Sequence, residues 1–306
     1  MNKLVIQVPA STANLGPGFD SVGISLNRFL TLKVYEHHEW KFEQISTLLP
    51  PLPDNDDHFI LQIAKQVADH YHKSLPPCRV VVDSEIPLAR GLGSSASAVV
   101  AGIELANQVG QLSLTDQEKL YFASNIEGHP DNVAASLFGG LIIATKNKEN
   151  GFEVVPFYDL MVDFLVFIPN IELKTDDARK VLPSSYSRQD AVRGSATSNV
   201  LIAALLCGQY ELAGKMMEQD IFHEPYRSEL IPHFHEVREA AKTLGAFGTV
   251  ISGAGPTIIS LVPYGDGERI AKHLRAIYPQ FQIEILKMNR NGVVVEYDAS
   301  YKALKS

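Results

Sequence analysis

Pro87-Leu88-Ala89-Arg90-Gly91-Leu92-Gly93-Ser94-Ser95-Ala96-Ser97 joins a strand-like run, residues 78–86, to a helix-like one that begins near residue 95. Small residues, hydroxyls and backbone amides are concentrated where the chain enters a helix. A helix N-terminus presents unpaired N–H groups and about half a positive charge, so it attracts anions. Gly91 and Gly93 let the backbone approach an anion that a Cβ would hold away. The layout is that of a phosphate cradle. It is not a Walker A loop, because Ala96 and Ser97 follow where Lys-Ser/Thr is required, and it is not a GxGxxG fingerprint.

Upstream, Leu4, Ile6 and Val8 alternate as a strand that Pro9 is expected to stop. Residues 10–20, with Gly16, Pro17 and Gly18, read as a loop. Strands are expected over 25–35 and 40–45, a Pro/Asp-rich surface loop over 49–57, and a helix over 58–71. In that helix Ile60, Ile63, Ala64, Val67 and Tyr71 keep helical spacing. After the cradle, Ala98, Val99, Gly102, Ile103 and Ala106 form one small, apolar helix face that Gly110 ends. Thr115 and Glu118 are spaced as a capping box for a helix over 115–126, and residues 137–145 return to strand.

The pattern restarts after a polar turn at 146–151. It gives a strand at 162–169 and helices at 194–206, 209–217 and 235–244, the last closed by Gly245. Two strands then flank Ser252-Gly253-Ala254-Gly255-Pro256, followed by a helix at 269–278 and strands at 281–288 and 292–297. Strands and helices interleave in both halves, which predicts two α+β domains, residues 1–155 and 156–306.

The 306 residues are 45% hydrophobic and 20% charged, as in an ordinary globular protein with ample core. The net charge of −8 disfavours nonspecific binding to nucleic acid or to an anionic membrane. Cys78 and Cys207 form no CxxC pair, so the sequence predicts two reduced, buried thiols in a cytoplasmic protein, with neither a disulfide framework nor a zinc site. The apolar run at the N-terminus is too short for a signal peptide, and no run reaches the roughly 18 residues of a membrane span.

Three ordered blocks carry a resemblance that spans nearly the whole chain. The cradle is similar to the signature loop of the GHMP kinases. Val8-Pro9-Ala10-Ser11-Thr12-Ala13-Asn14-Leu15-Gly16-Pro17-Gly18-Phe19-Asp20 resembles their first block, and Ile251-Ser252-Gly253-Ala254-Gly255-Pro256-Thr257 resembles their third. Within that superfamily the chain most resembles the homoserine kinase family. The supporting residues are Asn14 to Asp20, Glu127-Gly128-His129-Pro130-Asp131-Asn132-Val133-Ala134, Lys174-Thr175 with Ala178-Arg179 and Leu182-Pro183, and Glu224-Pro225-Tyr226-Arg227. The resemblance implies an N-terminal domain like the second domain of ribosomal protein S5, a ferredoxin-like C-terminal domain, and a site in the cleft between them. It implies ATP and Mg²⁺ as cofactors, L-homoserine as the acceptor, and a role in threonine biosynthesis, and it admits a homodimer.

That acceptor is a zwitterion with one reactive hydroxyl. Asp20 can pair with its ammonium, with a hydrogen bond from Asn14, and Arg179 and Arg227 can grip its carboxylate. His129 and Asn132 can orient the hydroxyl or the substrate backbone. The resemblance implies the same roles, with residues 87–97 holding ATP and Glu127 holding Mg²⁺ beside Ser94 or Ser95, a donor set suited to that ion. Thr175 precedes Arg179 by one helical turn, so it either shares their site or caps the helix. Asp131 reads equally well as an Asx-turn residue. Asn132 cannot accept a proton at neutral pH, which points to catalysis by positioning and charge stabilisation. Two rivals remain at this stage. One is a kinase for another small alcohol, which substrate screening separates. The other is a non-catalytic sensor, which would bind ATP without turning it over.

Overall fold

The computed structural model describes residues 3–51 and 53–297. The first half runs β1 (Lys3–Ala13), β2 (Val22–Glu36), β3 (Lys41–Gln44), α1 (Phe59–His70), β4 (Cys78–Ser84), α2 (Ser94–Val109), α3 (Asp116–Glu127), α4 (Asp131–Phe138), β5 (Leu141–Lys146) and β6 (Phe152–Phe157). The second runs β7 (Val162–Pro169), α5 (Thr175–Lys180), α6 (Arg188–Leu206), α7 (Tyr210–Met217), α8 (Glu224–Arg227), α9 (Phe234–Thr243), β8 (Gly248–Ile251), β9 (Ile258–Pro263), α10 (Gly267–Ile277), β10 (Phe281–Leu286) and β11 (Val294–Tyr297).

Two sheets organise these elements. The seven-stranded sheet has the path β11-β1-β2-β4-β3, and β2 also pairs with β5, which pairs with β6. The long β2 serves two neighbours on one edge, β4 over Leu30–Glu36 and β5 over Val22–Ile24. Helices α1 to α4 form the layer beside this sheet, with α2 and α4 packed on β1. The small face of α2 explains how close α1 and α2 come: a Cβ on Gly102 would lie 2.7 Å from the Ile63 side chain on α1. The second sheet has the antiparallel order β10-β7-β9-β8, with α9 and α10 packed against it. With β7, β8, β9 and β10 in chain order, that is the ferredoxin-like arrangement. Every residue of its central strand β7 is buried. The molecule is α+β, and no helix among the described residues is long and apolar enough to cross a membrane.

Four local expectations need correction. β1 does not stop at Pro9 but runs on to Ala13, taking residues 10–13 out of the expected loop. β1 pairs with β11 only over Leu4–Gln7, and its register against β2 slips between Pro9 and Ala10, so the missing N–H falls at an irregularity that tolerates it. The apolar run 137–145 is not one strand: Leu137 and Phe138 close α4, and Gly139 and Gly140, with φ of 76° and 75°, turn the chain into β5. Cys78 is buried as expected, but Cys207, at the C-terminal end of α6, is exposed. β6, unread in the sequence, is an edge strand.

Backbone hydrogen bonds stitch the two sheets together around the cradle. Ser11 N–H donates to Leu92 O (3.2 Å), Gly253 N–H to Ala13 O (3.1 Å), Thr257 N–H to Arg90 O (3.3 Å) and Leu173 N–H to Ala89 O (3.2 Å). The N-terminus of α2 therefore opens at this seam.

Candidate active site

A cavity of about 240 Å³ sits at the seam. One wall is the cradle: Leu88, Ala89, Arg90, Gly91, Gly93, Ser94 and Ser95 line it. Gly91 and Gly93 have φ of 74° and 70°, and Cβ atoms there would lie 2.4 Å from Ser252 O and 2.1 Å from Ser11 Oγ. Glycine is thus required both by conformation and by space. No side chain caps α2, so its first amides stay available to an anion. The remaining residues of the motif do other work. Leu92 and Ala96 turn their side chains into the core, and Ser97 Oγ donates to Ser94 O (3.0 Å). Pro87 does not line the cavity. Arg90 donates to Pro169 O (3.2 Å) and Leu88 O (2.8 Å) and pairs with Glu172, so its guanidinium braces the cradle against β7.

A second cavity of about 220 Å³ continues past the cradle, sharing Leu88, Ser94 and Ser95. His58, Phe59, Ile60, Val82 and Ala98 make it largely apolar.

The facing wall is charged. Asp20, at the end of the β1–β2 loop, accepts two hydrogen bonds from Arg179 on α5. Asn14 and Asp20 both adopt left-handed backbone conformations, φ 72° and 54°, a strain held by the loop's own bonds. Asn14 is buried, and its amide accepts from Asp20 N–H (3.0 Å) and donates to Gly253 O (2.9 Å). Arg227, 1% exposed, lines the cavity from α8. Burial and then the neighbouring Arg179 charge bring its guanidinium down to about 10. Arg179 moves the other way: burial opposes its charge, but the bonds and charge of Asp20 outweigh that. The side chain of Glu224, from the same block as Arg227, faces elsewhere and ties α8 to Arg238 and to Ile251 N–H.

Between the walls, Glu127 ends α3, and Ser95 Oγ donates to its Oε2 (2.9 Å). Burial pushes the Glu127 carboxyl up, eased by the charge of His129 and the Ser95 bond. Ser94 lines the same cavity, but Ser95 is the serine that contacts Glu127. Asn132, on the first turn of α4, accepts from Ser11 Oγ (3.0 Å), and its Nδ2 lies 3.3 Å from Asp131 Oδ1. His129 Nδ1 lies 2.5 Å from the same Asp131 oxygen. Burial opposes the imidazolium of His129, but the Asp131 carboxylate overrides it and moves the ring's titration up. Thr175 lines the cavity as the first residue of α5, with Lys174 in the capping position.

The structure therefore gathers Asn14, Asp20, Ser94, Glu127, His129, Asn132, Thr175, Arg179 and Arg227 around one cavity. Sequence reasoning left Asp131 and Lys174 without a role there. Asp131 does accept its neighbour's N–H (2.7 Å) in turn-like fashion, yet it is 1% exposed, lines the cavity and groups with Asp20 and His129 within 4.8 Å. Its burial between two polar neighbours left no trace in the spacing of residues.

Residues 58–140 match the family model described as GHMP kinases N terminal domain, and residues 201–280 match GHMP kinases C terminal. A curated relative from Bacillus pumilus, named homoserine kinase, is 51% identical over 293 residues, covering 96% of this chain and 94% of its own. The chain belongs to the GHMP kinases. Two solved structures resemble this GHMP kinase along its length. One, from Listeria monocytogenes, has TM-score 0.83 at 36% identity and covers 96% of this chain and 100% of its own. The other, homoserine kinase from Cytophaga hutchinsonii, has TM-score 0.83 at 27% identity and covers 96% and 97%.

Proposed function

We propose that this GHMP kinase transfers the γ-phosphoryl group of ATP to the side-chain hydroxyl of L-homoserine, giving O-phospho-L-homoserine for threonine biosynthesis in the cytoplasm. One observation carries the reading: a single cavity has a phosphate-cradling helix start on one side and two carboxylates with two guanidiniums on the other. The first side suits a nucleotide triphosphate, the second the two charged ends of an amino acid. The apolar cavity beyond Leu88 suits the purine base.

In the reaction the homoserine oxygen bonds to the γ-phosphorus as the bond to the bridging oxygen of ADP breaks. The hydroxyl proton passes to an oxygen of the transferred group and then to water. Asn132, held by Ser11 and Asp131, orients the hydroxyl but takes no proton. Asp20, with Asp131 behind it, receives the ammonium, and Arg179 and Arg227 receive the carboxylate. Asn14 acts through the loop, since its amide is engaged with Asp20 N–H and Gly253 O. His129 keeps the Asp131 carboxylate in place. Thr175 adds a hydroxyl at the rim.

The residues also fit Mg²⁺. Glu127 offers a carboxylate whose one hydrogen bond among the described residues comes from Ser95, and burial makes its charge costly without a cation. Carboxylate and hydroxyl oxygens beside phosphates are the donors that ion prefers. Glu127 with Ser94 or Ser95 would hold it, and when bound it neutralises charge on the phosphates.

On this reading residues 1–155, whose sheet is completed by β11 from the far end of the chain, are the ATP-binding unit, and the remainder of 156–306 completes the acceptor site. ADP release, measured with ATP and Mg²⁺ against L-homoserine, L-serine, L-threonine, mevalonate and shikimate, tests it. We expect homoserine-selective turnover that collapses in Arg227→Ala. ATP binding without turnover of any alcohol would overturn the reading.

A further inference from the structure

We propose that His223 is a positioning residue for the substrate carboxylate: its Nδ1 holds the Arg227 guanidinium toward the cavity while its Nε2 anchors the loop that carries Asp20. The proposal rests on the functional reading above and names a residue outside the acceptor site proper.

His223 is 0% exposed and directly precedes α8, one turn before Arg227. Its Nε2 lies 3.0 Å from Gly16 O, and its Nδ1 lies 3.4 Å from Arg227 Nη1. An arginine only donates, so Nδ1 must carry the lone pair. A carbonyl only accepts, so Nε2 must carry the proton. One neutral tautomer satisfies both contacts. A charged ring would set N–H against N–H at Arg227 and place two cations side by side.

The rest of the surroundings agrees. Asp220 Oδ2 is 3.4 Å from Nε2, but that carboxylate already accepts from the backbone N–H groups of Phe222, His223 and Glu224. Arg227 and, farther off, Asp20 are the other charged groups felt by the ring. Burial, aided by Arg227 and opposed by Asp220 and Asp20, keeps the imidazole neutral down to about pH 4.

The consequence lies in how Arg227 spends its donors. Nε donates to Ala178 O (3.0 Å), and Nη1 donates to Gly253 O (3.2 Å) and to His223. Nη2 has no hydrogen bond among the described residues and is left for a ligand. The Phe19 ring stacks on His223 at 5.2 Å and lies under the guanidiniums of Arg227 (5.3 Å) and Arg179 (5.6 Å). His223 thus fixes one arginine through Nδ1 and the acid-bearing loop through Nε2 and its stacked face.

Two variants separate the links. In His223→Asn the side-chain oxygen stands near the place of Nδ1, so Arg227 keeps an acceptor. In His223→Gln the amide reaches toward Gly16 O and Arg227 loses its acceptor. We expect KM for homoserine to rise about tenfold in His223→Gln and to stay within about threefold of the parent in His223→Asn. In both, kcat and KM for ATP should stay within about twofold. Equal KM values in the two variants, or kcat and both KM values shifting together, would overturn the proposal. Because a buried ring can also matter for folding, the parent enzyme supplies a second reading. Its histidine ring ¹⁵N shifts, with His223 assigned by its loss in the variants, should give the Nε2-protonated neutral tautomer at pH 7. A charged ring or an Nδ1-protonated one overturns the link to Arg227. That measurement needs no turnover, so it stands apart from a failure of the homoserine assay.

Discussion

Asp20 and Arg179 meet fork to fork, with Nη2 2.7 Å from Oδ1 and Nη1 3.1 Å from Oδ2. The acid belongs to the first sheet's loop and the base to α5, so the pair ties the two halves of the chain together within one wall of the cavity. Sequence reasoning assigned these side chains to opposite ends of the substrate, and in the structure they satisfy each other. A zwitterion can take both places at once, its ammonium replacing the guanidinium and its carboxylate replacing Asp20. A ligand with a single charge strands one member of the pair.

From this pairing we expect 4-hydroxybutanoate, which lacks the ammonium, to lose about 10- to 150-fold in kcat/KM against L-homoserine, the factor that a charged hydrogen bond worth about 1.5–3 kcal/mol corresponds to. Asp20→Asn should lower kcat/KM for homoserine by a similar factor and shrink that discrimination to about threefold or less. If the discrimination survives in Asp20→Asn, the ammonium is held elsewhere, with Asp131 the next candidate.

Gly93→Ala should cost stability and ATP affinity together. The left-handed conformation costs a Cβ-bearing residue about 1 kcal/mol, and the new methyl meets Ser11 Oγ at 2.1 Å. Displacing Ser11 also releases its bond to Asn132. We expect unfolding to become easier by about 2–4 kcal/mol in denaturant titrations, and KM for ATP to rise at least about tenfold. An unchanged midpoint would mean that the cradle yields more readily than its contacts imply.

Asn132→Ala should lower kcat by about 10–100-fold while leaving the shape of the kcat–pH profile intact. The amide is held by Ser11 and Asp131 for orientation and has no ionisation to contribute. Loss of one limb of the profile would falsify the base-free scheme at this residue.

His58 predicts an acid-side stability effect. Its Nδ1 accepts Ile60 N–H at the start of α1, its ring stacks on Phe42 at 4.0 Å, and burial lowers its titration to about 4. Between pH 6.5 and 4 the unfolded chain binds a proton that the folded one refuses, so stability falls as pH falls through that window. The contribution is on the order of 3 kcal/mol. His58→Asn keeps a capping side chain without the titration. Its unfolding free energy should vary less with pH over this range, although His223, shifted in the same direction, leaves part of the slope. Parallel curves for the two proteins would refute the assignment.

Legibility in the sequence followed the physics of each segment. α3 was readable because its capping box is local, and Thr115 and Glu118 do bond reciprocally. β7 was readable because a strand buried on both faces runs apolar without alternation, here from Phe164 to Pro169. β6 was not, because an edge strand with Pro156 and an exposed Val155 carries neither alternation nor an apolar run. α4 was hidden because it is eight residues long and its apolar end runs on into β5. The site residues were found through ordered motifs, but their partners were not. Nothing in the order of residues says that Arg179 rests on Asp20, that Arg90 braces β7, or that Asp131 is buried beside His129.

β11 has a further consequence. It pairs with Leu4–Gln7, the opening residues of β1, from about 290 positions away. During synthesis the seven-stranded sheet cannot close that edge until the whole ferredoxin-like unit has left the ribosome. The last bonds of the first sheet therefore wait on the second unit, at the entropic cost of a very long loop. A nascent chain halted before residue 294 should expose the outer edge of β1 as an open strand, a surface that invites pairing with a second unfinished chain.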